Sequence, residues 1–153
     1  MPQPDPFTEV LMSDHDLLQL EQLEQRRILS PRQLSHPLLW RRFWELLWDD
    51  VCSLRRRYGL PVRSRWWEDE VQVEALAALA AWSARFDSGD WEDPPGKLSL
   101  LFELERVAAL LRDGHDPLDP RHDRALYERH LRGDDRGNGA GDSDGCGGTA
   151  TVG

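Results

Sequence analysis

Five histidines and two cysteines are the side chains of this sequence best suited to metal binding or nucleophilic attack. Three histidines stand in His-Asp pairs: His15-Asp16, His115-Asp116 and His122-Asp123. A metal-dependent hydrolase of the His/Asp type needs such pairs on facing helices, so that several ligands converge on one ion. Here the candidates gather between His115 and His130 instead, and His36 stands apart beside Pro37. No helical pair of histidines four apart occurs, and no His-Glu-x-x-His motif. The favoured reading is surface or capping histidine beside aspartate, with no metal and no cofactor.

Nucleophile chemistry has equally little to build on. Cys52 falls on the flank of an apolar helix, where it reads as a small hydrophobe. Cys146 lies among glycines, with no base beside it in sequence. Phosphate-loop, dinucleotide-binding and nucleophile-elbow patterns are absent. The paired carboxylates Asp49-Asp50, Glu68-Asp69-Glu70 and Asp134-Asp135 are explained by helix starts or solvent. No catalytic residues are assigned, and the chain reads as a non-enzyme.

Two features remain. Arg55, Arg56, Arg57, Arg63 and Arg65 form a run free of acids, flanked by Tyr58, Trp66 and Trp67. Such a segment can hold single-stranded nucleic acid, arginine on phosphate and ring on base. Equally, Arg55–Arg57 suit a helix C-terminus, and the acids at 68–70 can neutralise Arg63 and Arg65. The second feature is seven tryptophans, an excess over what packing requires. Trp66 and Trp67 are adjacent and point about 100° apart if helical, so at least one should be exposed. Exposed tryptophan beside arginine is the usual composition of a protein-binding hot spot. Arg63, Arg65, Trp66 and Trp67 are therefore the candidate partner-binding residues. The Arg55–Arg65 segment is the alternative, for nucleic acid.

These residues must be positioned by helices. The first is expected over about 13–29, capped by Ser13, with Asp14 and Asp16 in its first turn and Arg26 and Arg27 in its last. Leu17, Leu20, Leu23 and Ile28 give it a narrow stripe. The second starts at Ser35 or His36 with Pro37 in its first turn, and ends at Gly59. Trp40, Phe43, Trp44, Leu47, Trp48, Val51, Leu54 and Tyr58 share an arc of roughly 140°. The third runs from about Trp67 to Phe86. One face carries Val71, Ala75, Leu76, Leu79, Trp82 and Phe86, and an Ala-rich face lies opposite. Such a helix is central. The turn Gly59-Leu60-Pro61-Val62 should set the second and third helices antiparallel. A fourth helix over about 96–112 buries Leu100, Leu101, Leu104, Val107, Ala108 and Leu111, and is closed by Gly114. A fifth runs from Asp119-Pro120 to about Leu131, with Leu126 and Tyr127 inward. With no strand pattern and few β-branched residues, the fold class is all-α, a compact four- or five-helix bundle.

The ends differ from the middle. Residues 1–12 hold three prolines and read as a flexible arm. Residues 133–153 hold eight of the twelve glycines, four aspartates and one arginine. Such a tail cannot bury enough apolar area to offset its chain entropy and should be disordered. The helical domain is thus residues 13–132. Of the net charge of -9, only -4 belongs there, so a uniformly basic nucleic-acid binder is disfavoured. No apolar run approaches the ~18 residues of a membrane span, and the N-terminus lacks the basic and apolar regions of a signal peptide. A cytoplasmic location is expected, with self-association left open.

Trp66-Trp67-Glu68-Asp69-Glu70, Val73-Glu74-Ala75-Leu76, Ala81-Trp82-Ser83-Ala84-Arg85-Phe86-Asp87 and Leu110-Leu111-Arg112-Asp113-Gly114 follow one another along the chain. This order resembles small actinobacterial proteins of plasmids, phages and conjugative elements grouped as domain of unknown function 4913. Their pattern closes on Gly-Pro-Phe, where this chain has Gly114-His115-Asp116-Pro117-Leu118, and carries a Trp early in its second helix where Phe102 stands here. The likeness covers about residues 40–118. It implies a mobile-element setting and brings no site residues.

Overall fold

The computed structural model describes residues 12–89, 93–112 and 116–133. Residues 1–11, Trp91, Gly114, His115 and the Gly/Asp tail beyond Gly133 lie outside them. Among the described residues there are five α-helices, two 3-10 turns and no strand.

Helix α1 spans Asp14–Glu24. Ser13 accepts from the Asp16 N–H while Asp16 reaches back to the Ser13 N–H, a capping box. The helix is shorter than its sequence suggests. Gln25 caps it, and Arg26 turns left-handed at φ 58°. Arg26 then points its guanidinium at Asp50, 2.9 Å away, and the chain is free to drop Ile28 into the core. Leu23 is the buried residue of α1, while Leu17 stays exposed.

Helix α2, Pro37–Tyr58, is the axis of the bundle. His36 accepts from the Leu38 N–H at its start, and Gly59 takes φ 65° at its end, where a side chain would be strained. It packs on α1, on α3 (Glu70–Asp87), on α5 (Pro120–Leu131) and on a 3-10 turn at Pro31–Gln33. Helix α4, Pro94–Leu111, packs on α3. Helix α3 is thus sandwiched between α2 and α4, as its apolar character predicts, and both of its faces are buried: Leu76 and Leu79 on one, Val73, Ala77 and Ala80 on the other, while Val71 is 58% exposed. On α4, Leu100, Leu104 and Leu111 are buried but Leu101 is exposed. A helix that packs mainly on one neighbour buries a narrower arc than its apolar content allows.

Helices α2 and α3 run parallel, not antiparallel. Arg57 at the end of α2 donates to Asp87 at the end of α3 (2.7 Å), while Arg32, just before α2, donates to Glu70 at the start of α3 (2.7 Å). The connection is longer than the Gly59–Val62 turn. After Gly59 the chain doubles back along α2 to bring Trp67 beside Trp48, with ring centroids 6.4 Å apart. From Trp48 to Tyr58 the helix rises about 15 Å, which nine extended residues span easily. This return strand is held by the stretch before α5. The Ser64 N–H donates to the Asp116 carbonyl (2.7 Å) and the Leu118 N–H to the Val62 carbonyl (2.9 Å), around an isolated antiparallel bridge of Arg63 and Pro117.

Candidate functional site

Four tryptophans and a tyrosine collapse into one cluster. Trp44, Trp48, Trp66 and Trp67 surround Tyr127, all five at most 6% exposed. Their ring centroids lie 4.6–6.2 Å from that of Tyr127. Tyr127 donates its hydroxyl to the main-chain carbonyl of Trp44. Burial drives its phenol pKa well above the ordinary 10, so the hydroxyl stays protonated. Arg124, one turn earlier, lies 5.2 Å over the Trp48 ring. His130, one turn later, meets Trp44 edge-on at 4.4 Å. The order 124–127–130 against 48–44–40 sets α5 antiparallel to α2.

The expected exposure of Trp66 or Trp67 is overturned. They do not open α3. They form a separate 3-10 turn, Trp66–Glu68, and are 1% and 4% exposed. The tighter turn and the left-handed Arg65 before it, φ 62°, aim both rings into the bundle. Arg63 and Arg65 do not frame a binding patch with them. Arg63 is half-buried and donates to the carbonyls of Leu111 (3.2 Å) and Arg112 (2.8 Å), which satisfies the C-terminus of α4. Arg65 pairs with Glu68 at 2.7 Å.

The alternative segment is divided in the same way. Arg57 donates to Asp87 and Ser83 and covers the Tyr58 ring at 5.1 Å. Its bond to Asp87 raises its pKa further. Arg57 therefore serves the end of α3 and Arg63 the end of α4. Those two ends lie at opposite limits of the bundle, because α4 folds back along α3: Lys97 in its first turn sits 5.2 Å over the ring of Phe86. Arg55 is half-buried and Arg56 is exposed.

The four described histidines do not converge on one point. His36 caps α2, His15 and His122 are exposed, and His130 packs in the aromatic cluster. Their aspartate neighbours hold the backbone instead. Asp123, 1% exposed, accepts from the Ser64 hydroxyl (2.8 Å) and the Asp119 N–H (2.9 Å). Among the described residues no group of three or more His, Cys, Asp or Glu is placed to hold a metal ion. Cys52 is half-buried, and that burial raises its thiol pKa, away from the reactive thiolate.

A concave site does exist, where sequence spacing gave no signal for it. Between the 31–33 turn, the first two turns of α2 and the end of α5 lies a cleft of about 790 Å3. Its wall is Pro31, Leu34, Pro37, Leu38, Trp40, Trp44 and Leu131, and its polar groups are Ser35, Arg32, Arg41, His130 and Arg132. Volume and composition fall in the range of binding sites, mostly apolar with a few convergent polar groups. The parts come from three segments up to a hundred residues apart. The sequence does place Trp40 on the apolar arc of α2, but Arg41, Arg132 and the returning α5 meet it only through the fold.

No known family, curated protein or solved structure matches this chain. Among the described residues, no helix is long and apolar enough to cross a membrane.

Proposed function

We propose that this chain is a non-enzymatic accessory protein that binds another protein through an aromatic–arginine surface. The surface is the cleft of Trp40, Arg32, Arg41 and Arg132 rather than the Arg63–Trp67 segment. The observation that carries the reading is the cleft itself: an open, largely apolar concavity with guanidinium groups at its rim. Apolar area with arginine around it is what protein interfaces use as anchor and rim. A cytoplasmic location, and the plasmid or phage setting implied by the resemblance, belong to the same proposal.

The test is a photo-crosslinking amino acid at Leu38, on the cleft wall, in cells of the source organism. A discrete crosslinked protein that disappears when Arg41→Glu is added is the expected result. Crosslinks equally strong with and without Arg41→Glu refute the assignment. Nucleic acid as the partner is tested by mobility shift at two salt concentrations, since binding through phosphates weakens with salt.

A further inference from the structure

We infer that the cleft takes an acidic segment of the partner, one in which carboxylates flank an apolar or aromatic side chain. This rests on the protein-binding reading above and names the chemistry of what binds.

The first observation is the sign of the rim. The charged side chains lining the cleft are Arg32, Arg41 and Arg132, and no carboxylate lines it among the described residues, on a chain of net charge -9. Guanidinium groups lining a concavity favour an incoming anion over a cation. The second is the start of α2. Pro37 and Leu38 line the cleft, and a helix of 22 residues presents the positive end of its dipole there. The third is the state of the arginines. Arg32 is bonded to Glu70 and Arg41 to Glu45 (3.0 Å), both as solvent-exposed pairs; the Arg32 side chain is 76% exposed. Exposed pairs contribute about 0–1 kcal/mol. An incoming carboxylate can therefore share or replace Glu45 and Glu70 at little cost. Neither Glu45 nor Glu70 lines the cleft, so both pairs present Arg41 and Arg32 without filling it.

The floor sets the other half of the specificity. Pro31, Pro37, Leu38 and the half-buried Trp40 offer apolar surface that a polyanion alone would leave uncovered. A segment that is both acidic and apolar matches floor and rim together. A phosphate backbone matches the rim alone.

The probe is a displayed library of random peptides, selected against the full chain at moderate salt. Arg41→Glu, Arg132→Glu and Trp40→Phe are prepared in parallel and checked by thermal melt. The expected pool is enriched in Asp and Glu beside Leu, Phe or Trp. Its members should bind about tenfold more weakly to Arg41→Glu or Arg132→Glu, and weaken as salt rises. An enriched pool that is neutral or basic but still sensitive to Trp40→Phe overturns the acidic assignment and leaves the protein-binding reading standing. A pool indifferent to all three variants overturns both. Two competitors decide between occupants. Displacement by a synthetic peptide of residues 134–153 would assign the cleft to this chain's own tail. Displacement by single-stranded oligothymidine would assign it to nucleic acid. Either result overturns the inference.

Discussion

Replacing Tyr127 by Phe removes one oxygen from the centre of the aromatic cluster and should leave a signature that depends on pH. The ring is fully buried and its hydroxyl donates to the Trp44 carbonyl. Phenylalanine keeps the packing, and the carbonyl keeps its place in the α2 ladder, so the loss at neutral pH is that of one hydrogen bond, about 1 kcal/mol. Burial raises the phenol pKa of the folded chain well above 10. The unfolded chain ionises near 10, so above that pH it binds fewer protons than the folded chain. Stability that is complete below pH 10 is then lost as pH rises, by about 1.4 kcal/mol per unit. Tyr127→Phe has no such proton to lose. By pH 11 ionisation of the unfolded tyrosine costs the wild type about 1.4 kcal/mol, so the two stability curves should cross between pH 10 and 11. Tyr58 and Lys97 are common to both proteins and cancel in the difference. Urea melts of both at pH 7, 10 and 11 read this directly. A stability difference that stays constant with pH would show that the hydroxyl titrates in the folded state, and with it that the Trp44–Tyr127 contact is open to water.

Three further substitutions and one titration test the rest of the fold. Trp66→Ala should cost about 3–5 kcal/mol in a denaturant melt, as much as Trp44→Ala, because both rings are fully enclosed; a loss below about 1.5 kcal/mol would return Trp66 to the surface. Ala80→Glu should cost roughly 2–5 kcal/mol by forcing a carboxylate between α3 and α2, where Ala80 is 6% exposed; an unchanged melt would refute that contact. Ser64→Ala should cost about 1–3 kcal/mol, since the buried Asp123 loses its hydroxyl donor, and an unchanged melt would mean that water reaches the carboxylate. The hydrogen bond from Arg42 holds the Glu24 carboxyl below its ordinary 4.5, so the stability it contributes is present above that pH and lost as pH falls through the lowered value. The pair is half-exposed, so Glu24→Gln should flatten the acid limb by at most about 0.5 kcal/mol.

The helices were legible because their signals are local. Ser13 with Asp16 and Asp119 with Pro120 each start a helix using neighbours within one turn, Pro37 and Gly59 mark the two ends of α2, and the structure uses all of them. The apolar arc of α2 was legible for the same reason: its partners are unspecified, but its period is not. What failed was direction. Gly59 does turn the chain, and a turn after a long helix normally returns the next helix antiparallel. Here the return is made by residues 60–65, outside any helix, and α3 starts only after the chain has walked back to the start of α2. Nothing within those residues signals this, because the stabilising partners are the Asp116 carbonyl, the Leu118 N–H and the C-terminal end of α4, about fifty residues away. Arg63 shows the consequence for function. In sequence it is a cation beside two tryptophans, which reads as a binding patch. In the fold its guanidinium completes the last turn of α4 and the tryptophans face inward, so the same composition becomes a structural joint. The cleft reverses that case. Trp40 looked like one more core residue on the α2 arc, and it is half-buried at the cleft where α5 ends. An aromatic–arginine surface is therefore set by where a packing helix stops, a property of the assembled bundle that no single segment carries.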